Sequence, residues 1–133
     1  MKSEKALMAL LFTLSLLLFT CFAAQAEPVE FRDYDANTGT FTNAVRECAL
    51  VTSATTELID GGWYAVQGTV ACSVLEVKGA AHLVLCDDCE LTVNGGIGVG
   101  IDKALTVYGQ GADTGKLTAN GAECCAGIGG RDP

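Results

Sequence analysis

The chain is short of positive charge and nearly without histidine. Its 133 residues carry 8 Lys and Arg against 16 Asp and Glu, with one His and one Trp. A net charge of −8 argues against nucleic acid and against anionic lipid, because phosphate binding needs a cationic surface. A single histidine, His82, leaves no Ser-His-Asp arrangement to assemble. It more readily packs beside a strand than binds a metal. Gly95-Gly96-x-Gly98-x-Gly100 is rich in glycine but lacks the lysine of a phosphate loop and a following helix. No apolar run follows residue 26 that could cross a membrane.

The one long apolar stretch is N-terminal. Lys2 and Lys5 precede an apolar run over Ala6–Phe22, and Ala24-Gln25-Ala26 closes it. This is the pattern of a secretory signal peptide over residues 1–26, cleaved after Ala26. The run is about 17 residues, at the short limit for a membrane span. Cys21 suggests a lipoprotein, but Leu18-Phe19-Thr20 ahead of it lacks the small residue such a site wants. Export through cleavage leaves a secreted or cell-surface chain of 107 residues with a net charge of −9, enough for one small domain.

Six cysteines remain: Cys48, Cys72, Cys86, Cys89, Cys124 and Cys125. An even number in an exported chain favours disulfides, with the connectivity left open. Zinc would want two spaced pairs, and Cys124-Cys125 are adjacent. No metal and no cofactor is predicted. Cys86-Asp87-Asp88-Cys89 lies between strands, not at a helix start, and its acidic residues raise the thiol pKa. It therefore reads as a stapled turn, or as two cysteines with separate partners, rather than as a catalytic dithiol.

Residues 27–60 read as an irregular N-terminal β segment or cap. Asp33-x-Asp35-x-Asn37 resembles the start of a calcium loop, but Thr38 and Ala44 stand where that loop needs Gly and Glu. Turn chemistry favours a hairpin, Phe31–Tyr34 returning through Asp35–Gly39 to Thr40–Thr42. Short strands are predicted at Ala49–Thr52 and Thr56–Leu58.

Residues 61–133 change character. Trp63–Val66, Val70–Cys72, Leu75–Val77, Leu83–Leu85, Leu91–Val93, Ile97–Val99, Leu105–Val107 and Lys116–Thr118 are brief apolar-x-apolar units separated by Gly, Asn and Asp. This is the alternation of strands buried on one face. They are shorter than sandwich strands, which run about five or six residues. Leu75-x-Val77-Lys78-Gly79, Leu91-x-Val93-Asn94-Gly95 and Leu117-x-Ala119-Asn120-Gly121 read as copies of one unit. His82–Leu85 resembles Ala104–Val107, about 22 residues on, a spacing typical of coiled arrays. The predicted fold is all-β: a right-handed parallel β-helix, or β-solenoid, of few rungs. Trp63 and Tyr64 suit a cap over its first rung. Gly127-Ile128-Gly129-Gly130 opens a further rung, so the array reads as incomplete at its C-terminal end. A longer protein would continue it, or a partner would cover the open edge.

Several motifs together carry a resemblance. They are Gly62-Trp63-Tyr64-Ala65-Val66-Gln67-Gly68, His82 through Val93, Leu105-Thr106-Val107-Tyr108-Gly109-Gln110, Gly115-Lys116-Leu117-Thr118-Ala119 and Ala126-Gly127-Ile128-Gly129-Gly130. In this order they resemble the Gly-rich, carbohydrate-binding-domain-type modules of large exported bacterial surface proteins. The resemblance spans roughly Tyr34 to Gly130. It departs at Asp88, where that family commonly has Gly, at the extra Cys86, and after Gly130, where family members add further rungs. It implies a β-solenoid in an exported protein and a carbohydrate ligand.

The expected function is a non-catalytic glycan-binding or adhesion module. Trp63, Tyr64 and Tyr108 are the candidate stacking faces, and Asp87 and Asp88 the candidate polar contacts. The rivals are a structural spacer, a truncated fragment and a polysaccharide-degrading enzyme. The last needs two facing carboxyls, for which Asp87 with Asp102 or Asp113 is the available pairing.

Overall fold

A computed structural model describes residues 26–123 and 125–130. The proposed signal peptide lies outside them except for Ala26, as do Cys21 and Cys124. Among the described residues there are twelve strands and no helix, and none of these residues forms a helix able to cross a membrane. The strands are β1 (Ala26–Asp35), β2 (Thr40–Leu50), β3 (Glu57–Leu58), β4 (Trp63–Val66), β5 (Thr69–Cys72) and β6 (Leu75–Val77). They continue with β7 (Ala80–Leu85), β8 (Glu90–Val93), β9 (Ile97–Val99), β10 (Ala104–Tyr108), β11 (Lys116–Ala119) and β12 (Ile128–Gly129).

The strands fall into three sheets. The first has the order β1-β2-β4-β7-β10, the second β11-β8-β5 and the third β12-β9-β6-β3. From β4 onward, consecutive strands enter the first, second and third sheets in turn, and the visit then repeats. We call β4–β6, β7–β9 and β10–β12 the first, second and third circuits. Strands of successive circuits pair in parallel, β4 with β7, β5 with β8 and β6 with β9. The third circuit extends each sheet by one more parallel strand.

The alternation read from the sequence sends every second side chain to a shared interior. Leu58, Val66, Cys72, Leu75, Val77, Ala81, Leu83, Leu91, Val93 and Ile97 form one buried cluster. Register turns these into lines of like residues: Val70, Leu91 and Leu117 in one line, Leu75, Ile97 and Ile128 in another. Val51 joins this interior ahead of the first circuit, and its N–H donates to Ala65 O at 2.9 Å. The Cys72 thiol contacts Thr52 O at 3.2 Å, fixing the same segment.

Two sequence alignments are corrected. Leu91–Val93 and Leu117–Ala119 are successive strands of one sheet, but Leu75–Val77 belongs to another sheet and pairs with Ile97–Val99. A common apolar-x-apolar pattern identifies a strand without saying which face it occupies. Likewise Leu83 pairs with Val107, not Leu105, and Leu105 pairs with Ala81. That slip of two residues preserves the inward face, as a slip of one would not. The strand expected at Ala49–Thr52 ends at Leu50 as part of β2.

The predicted hairpin is present and longer than expected, with Asp35 opposite Thr40 and Ala26 opposite Ala49. Gly39, at φ +68°, supplies the left-handed residue of its turn. β2 joins the first sheet beside β4. The hairpin then crosses the sheet's outer face to the opposite edge. There Arg32 N–H donates to Gly109 O at 3.0 Å, and Gln110 Nε2 donates to Glu30 O at 2.7 Å. Beneath it lies a second buried cluster: Val29, Phe31, Cys48, Ala65, Val84 and Cys86, flanked by Trp63 and Tyr108.

Candidate functional site

The outer face of the first sheet collects the aromatics. Trp63 and His82 are register partners, and their rings stack at 4.1 Å with an interplanar angle of 6°. Tyr108 lies 5.2 Å from Trp63, and its hydroxyl shares a 2.9 Å hydrogen bond with His82 Nδ1. Phe31 reaches from the hairpin to within 5.0 Å of Trp63 and 4.8 Å of Tyr108. Arg46 places its guanidinium 5.2 Å from the Trp63 ring. Burial is the chief cause of a raised Tyr108 pKa, and the nearby Asp33 charge adds to it. A Thr106 hydrogen bond and Arg46 act in the opposite direction.

This arrangement separates the predicted contacts. Trp63 is not a cap over the first circuit; it is held in a stack beneath the hairpin. The Tyr64 ring packs against the interior cluster, and its hydroxyl accepts the Ile59 N–H at 2.9 Å. Tyr108 is the predicted aromatic that reaches an open cavity.

That cavity is a groove of about 410 Å³ between the hairpin tip and the third circuit. It is lined by Arg32, Asp33, Tyr34 and Phe41 from the hairpin, by Tyr108 and Gln110, and by Asp113 in the turn beyond. Tyr34 and Phe41 are each 56% exposed, with centroids 5.2 Å apart. Register explains the pairing, since Tyr34 lies opposite Phe41 across the hairpin. Arg32 sits over Phe41 at 4.8 Å. In the sequence these three residues stand only as parts of the hairpin strands, with nothing local to mark them as lining a groove.

A second cavity of about 280 Å³ adjoins the first, sharing Arg32 and Gln110, and adds Glu30, Asn43 and Asp87. Asp87 is fixed by its N–H donating to Gln110 Oε1 at 2.7 Å. Its Oδ2 accepts from Ala112 N–H at 3.3 Å. Oδ1 is buried and takes no hydrogen bond from the described residues. Such an oxygen costs free energy until a donor reaches it. Asp88 is exposed in the turn at φ +62°, and its N–H donates to Thr114 Oγ1. The structure thus brings Tyr108 and Asp87 to neighbouring cavities and leaves Trp63 and Tyr64 within the packing.

The five described cysteines are free thiols. Cys48, Cys72, Cys86 and Cys89 are buried, and Cys125 is exposed. Burial pushes the Cys86 thiol up to about 11, with the charges of Cys89, Cys48, Glu27 and Asp87 adding to it. Burial also raises Cys48, Cys72 and Cys89. Among the described residues no group of His, Cys, Asp and Glu is placed to hold a metal ion.

The chain matches no model of a known protein family, no curated protein and no solved structure.

Proposed function

We propose that the chain is an exported, non-catalytic glycan-binding or adhesion module built on a short β-solenoid. The three sheets would be the three faces of the coil and the circuits its rungs. The cyclic visit of the chain to the sheets supports this reading. Parallel crossovers are right-handed in the great majority of proteins, which gives the expected hand. Export rests on the Met1–Ala26 pattern.

The observation that carries the ligand reading is the groove at the hairpin tip. Sugars present apolar C–H faces and rings of hydroxyls. Tyr34, Phe41 and Tyr108 offer apolar surface to the first, while Arg32, Asp33, Gln110 and Asp113 offer donors and acceptors to the second. A few polar groups converging on a largely apolar cleft is the usual make-up of a small-molecule site. The adjacent Asp87 Oδ1, lacking a donor, suits a hydroxyl. The test is a glycan array probed with residues 27–133, with folding checked by circular dichroism. Binding to a defined glycan class supports the reading, and a blank array from folded protein refutes it.

A second reading, a structural scaffold whose C-terminal edge a partner covers, is favoured by one observation. Val107 and Ile128 are 42% and 48% exposed, although they stand in register with the buried Leu83 and Ile97. Sedimentation velocity separates this case, since a covered edge requires a second chain in the complex.

A further inference from the structure

We propose that Cys86 and Cys89 form an oxidisable dithiol turn, closing to a disulfide that locks Asp87 against the hairpin. The turn itself sets the geometry. Cys89 N–H donates to Cys86 O at 3.1 Å across the intervening Asp87 and Asp88, and Asp88 at φ +62° supplies the left-handed third residue. A four-residue turn brings its end Cα atoms within about 7 Å. A disulfide needs about 4.4–6.8 Å.

Among the described cysteines only Cys86 and Cys89 close a turn on each other; Cys48 shares a buried cluster with Cys86, and Cys72 shares one with Cys89. Cys48 contacts Arg46 O at 3.5 Å and Cys72 contacts Thr52 O at 3.2 Å, while Cys125 is exposed in a later loop. Within the dithiol turn, Asp87 links the pair to the rest of the site. Its N–H bonds Gln110 Oε1 at 2.7 Å, and Gln110 Nε2 bonds Glu30 O on β1 at 2.7 Å. Closing the turn therefore restrains one end of a hydrogen-bond chain whose other end is the hairpin wall shared by both cavities.

The oxidant is a low-molecular-weight disulfide such as oxidised glutathione. The Cys89 thiolate attacks one sulfur of that disulfide, forming a mixed disulfide and releasing one glutathione thiolate. Cys86 then loses its proton and attacks the Cys89 sulfur, releasing the second. The S–S bond of the oxidant is exchanged for that of the protein, and the two thiol protons end on the two glutathiones. Both thiols are buried, so exchange proceeds through local opening of the turn or as the chain folds.

The test uses residues 27–133, reduced, then exposed to oxidised glutathione, alkylated after denaturation and mapped by mass spectrometry. The expected peptide containing Cys86 and Cys89 carries no alkyl group and is lighter by two hydrogens, while Cys48 and Cys72 are alkylated. In Cys86→Ser, Cys89 becomes alkylated. Alkylation of both Cys86 and Cys89 in the parent chain, or a bridge from either to another cysteine, overturns the pairing. Hydrogen exchange provides a second readout. Oxidation should slow the amides of Asp87 and Arg32 several-fold; unchanged rates at Arg32 overturn the coupling to the hairpin.

Discussion

The second and third circuits are built alike and buried differently. Leu83, Leu91 and Ile97 of the second are essentially inaccessible. Their register partners Val107, Leu117 and Ile128 in the third are half-buried or exposed. The strands have the same alternation, and each pairs in parallel with a strand of the circuit before it. Of these two, only the second circuit has a paired strand on both sides in every sheet. Burial here is conferred by the next circuit along, because a strand paired on one side only leaves its inward side chains open on the other. The first circuit escapes the same fate because Val51 and Leu58 cover its inward residues.

Substitutions test whether the next circuit confers this burial. The largest effect is expected from Leu91→Ala, which should cost about 2–5 kcal/mol as a buried leucine truncation. Leu117→Ala, one circuit on, should cost less than about half as much, since its side chain is already partly in water. Urea unfolding monitored by circular dichroism measures both, and equal losses would remove the distinction. Charge sharpens it further. Leu83→Lys should prevent folding because it buries an unpaired charge, whereas Val107→Lys should stay within about 0.5 kcal/mol of the parent, as exposed substitutions do.

The reduced second circuit should also be alkali-sensitive. Below pH 9 the Cys86 thiol is protonated in both folded and unfolded chains, and its contribution is fully present. The unfolded thiol ionises first, so stability falls as pH rises from 9 through about 11. Cys86→Ser should flatten that limb of a stability–pH profile; a profile unchanged by the substitution would contradict the assignment. The smallest effect belongs to Asp88→Gly. Relief of the left-handed residue opposes the added freedom of the unfolded chain, so thermal unfolding should shift stability by less than about 1 kcal/mol.

Much of this fold is visible in the residues. Trp63–Val66, Leu75–Val77 and Ile97–Val99 have the bounds their alternation predicts, because a half-buried strand must alternate. Their register is less visible. Turns between strands differ in length, from Gln67-Gly68 between β4 and β5 to the run 120–127 between β11 and β12, so like units fall on unlike faces. The site is the least legible part. Asp87 and Tyr108 stand out as an acidic turn and an aromatic, yet nothing local to Tyr34, Phe41 or Arg32 says that the hairpin will fold back onto the third circuit. Only the buried Val29 and Phe31 on one face of β1 hint that the strand has an apolar surface to cover.

The groove at the hairpin tip is tested most directly by binding. A glycan identified on the array should be titrated against the parent chain, Phe41→Ala and Ile101→Ala. Ile101 is 90% exposed in a turn outside the groove lining, so its removal controls for loss of apolar surface. Phe41→Ala should bind at least about tenfold more weakly, equivalent to about 1.4 kcal/mol, with Ile101→Ala unchanged. Equal affinity in all three proteins would contradict binding at the groove.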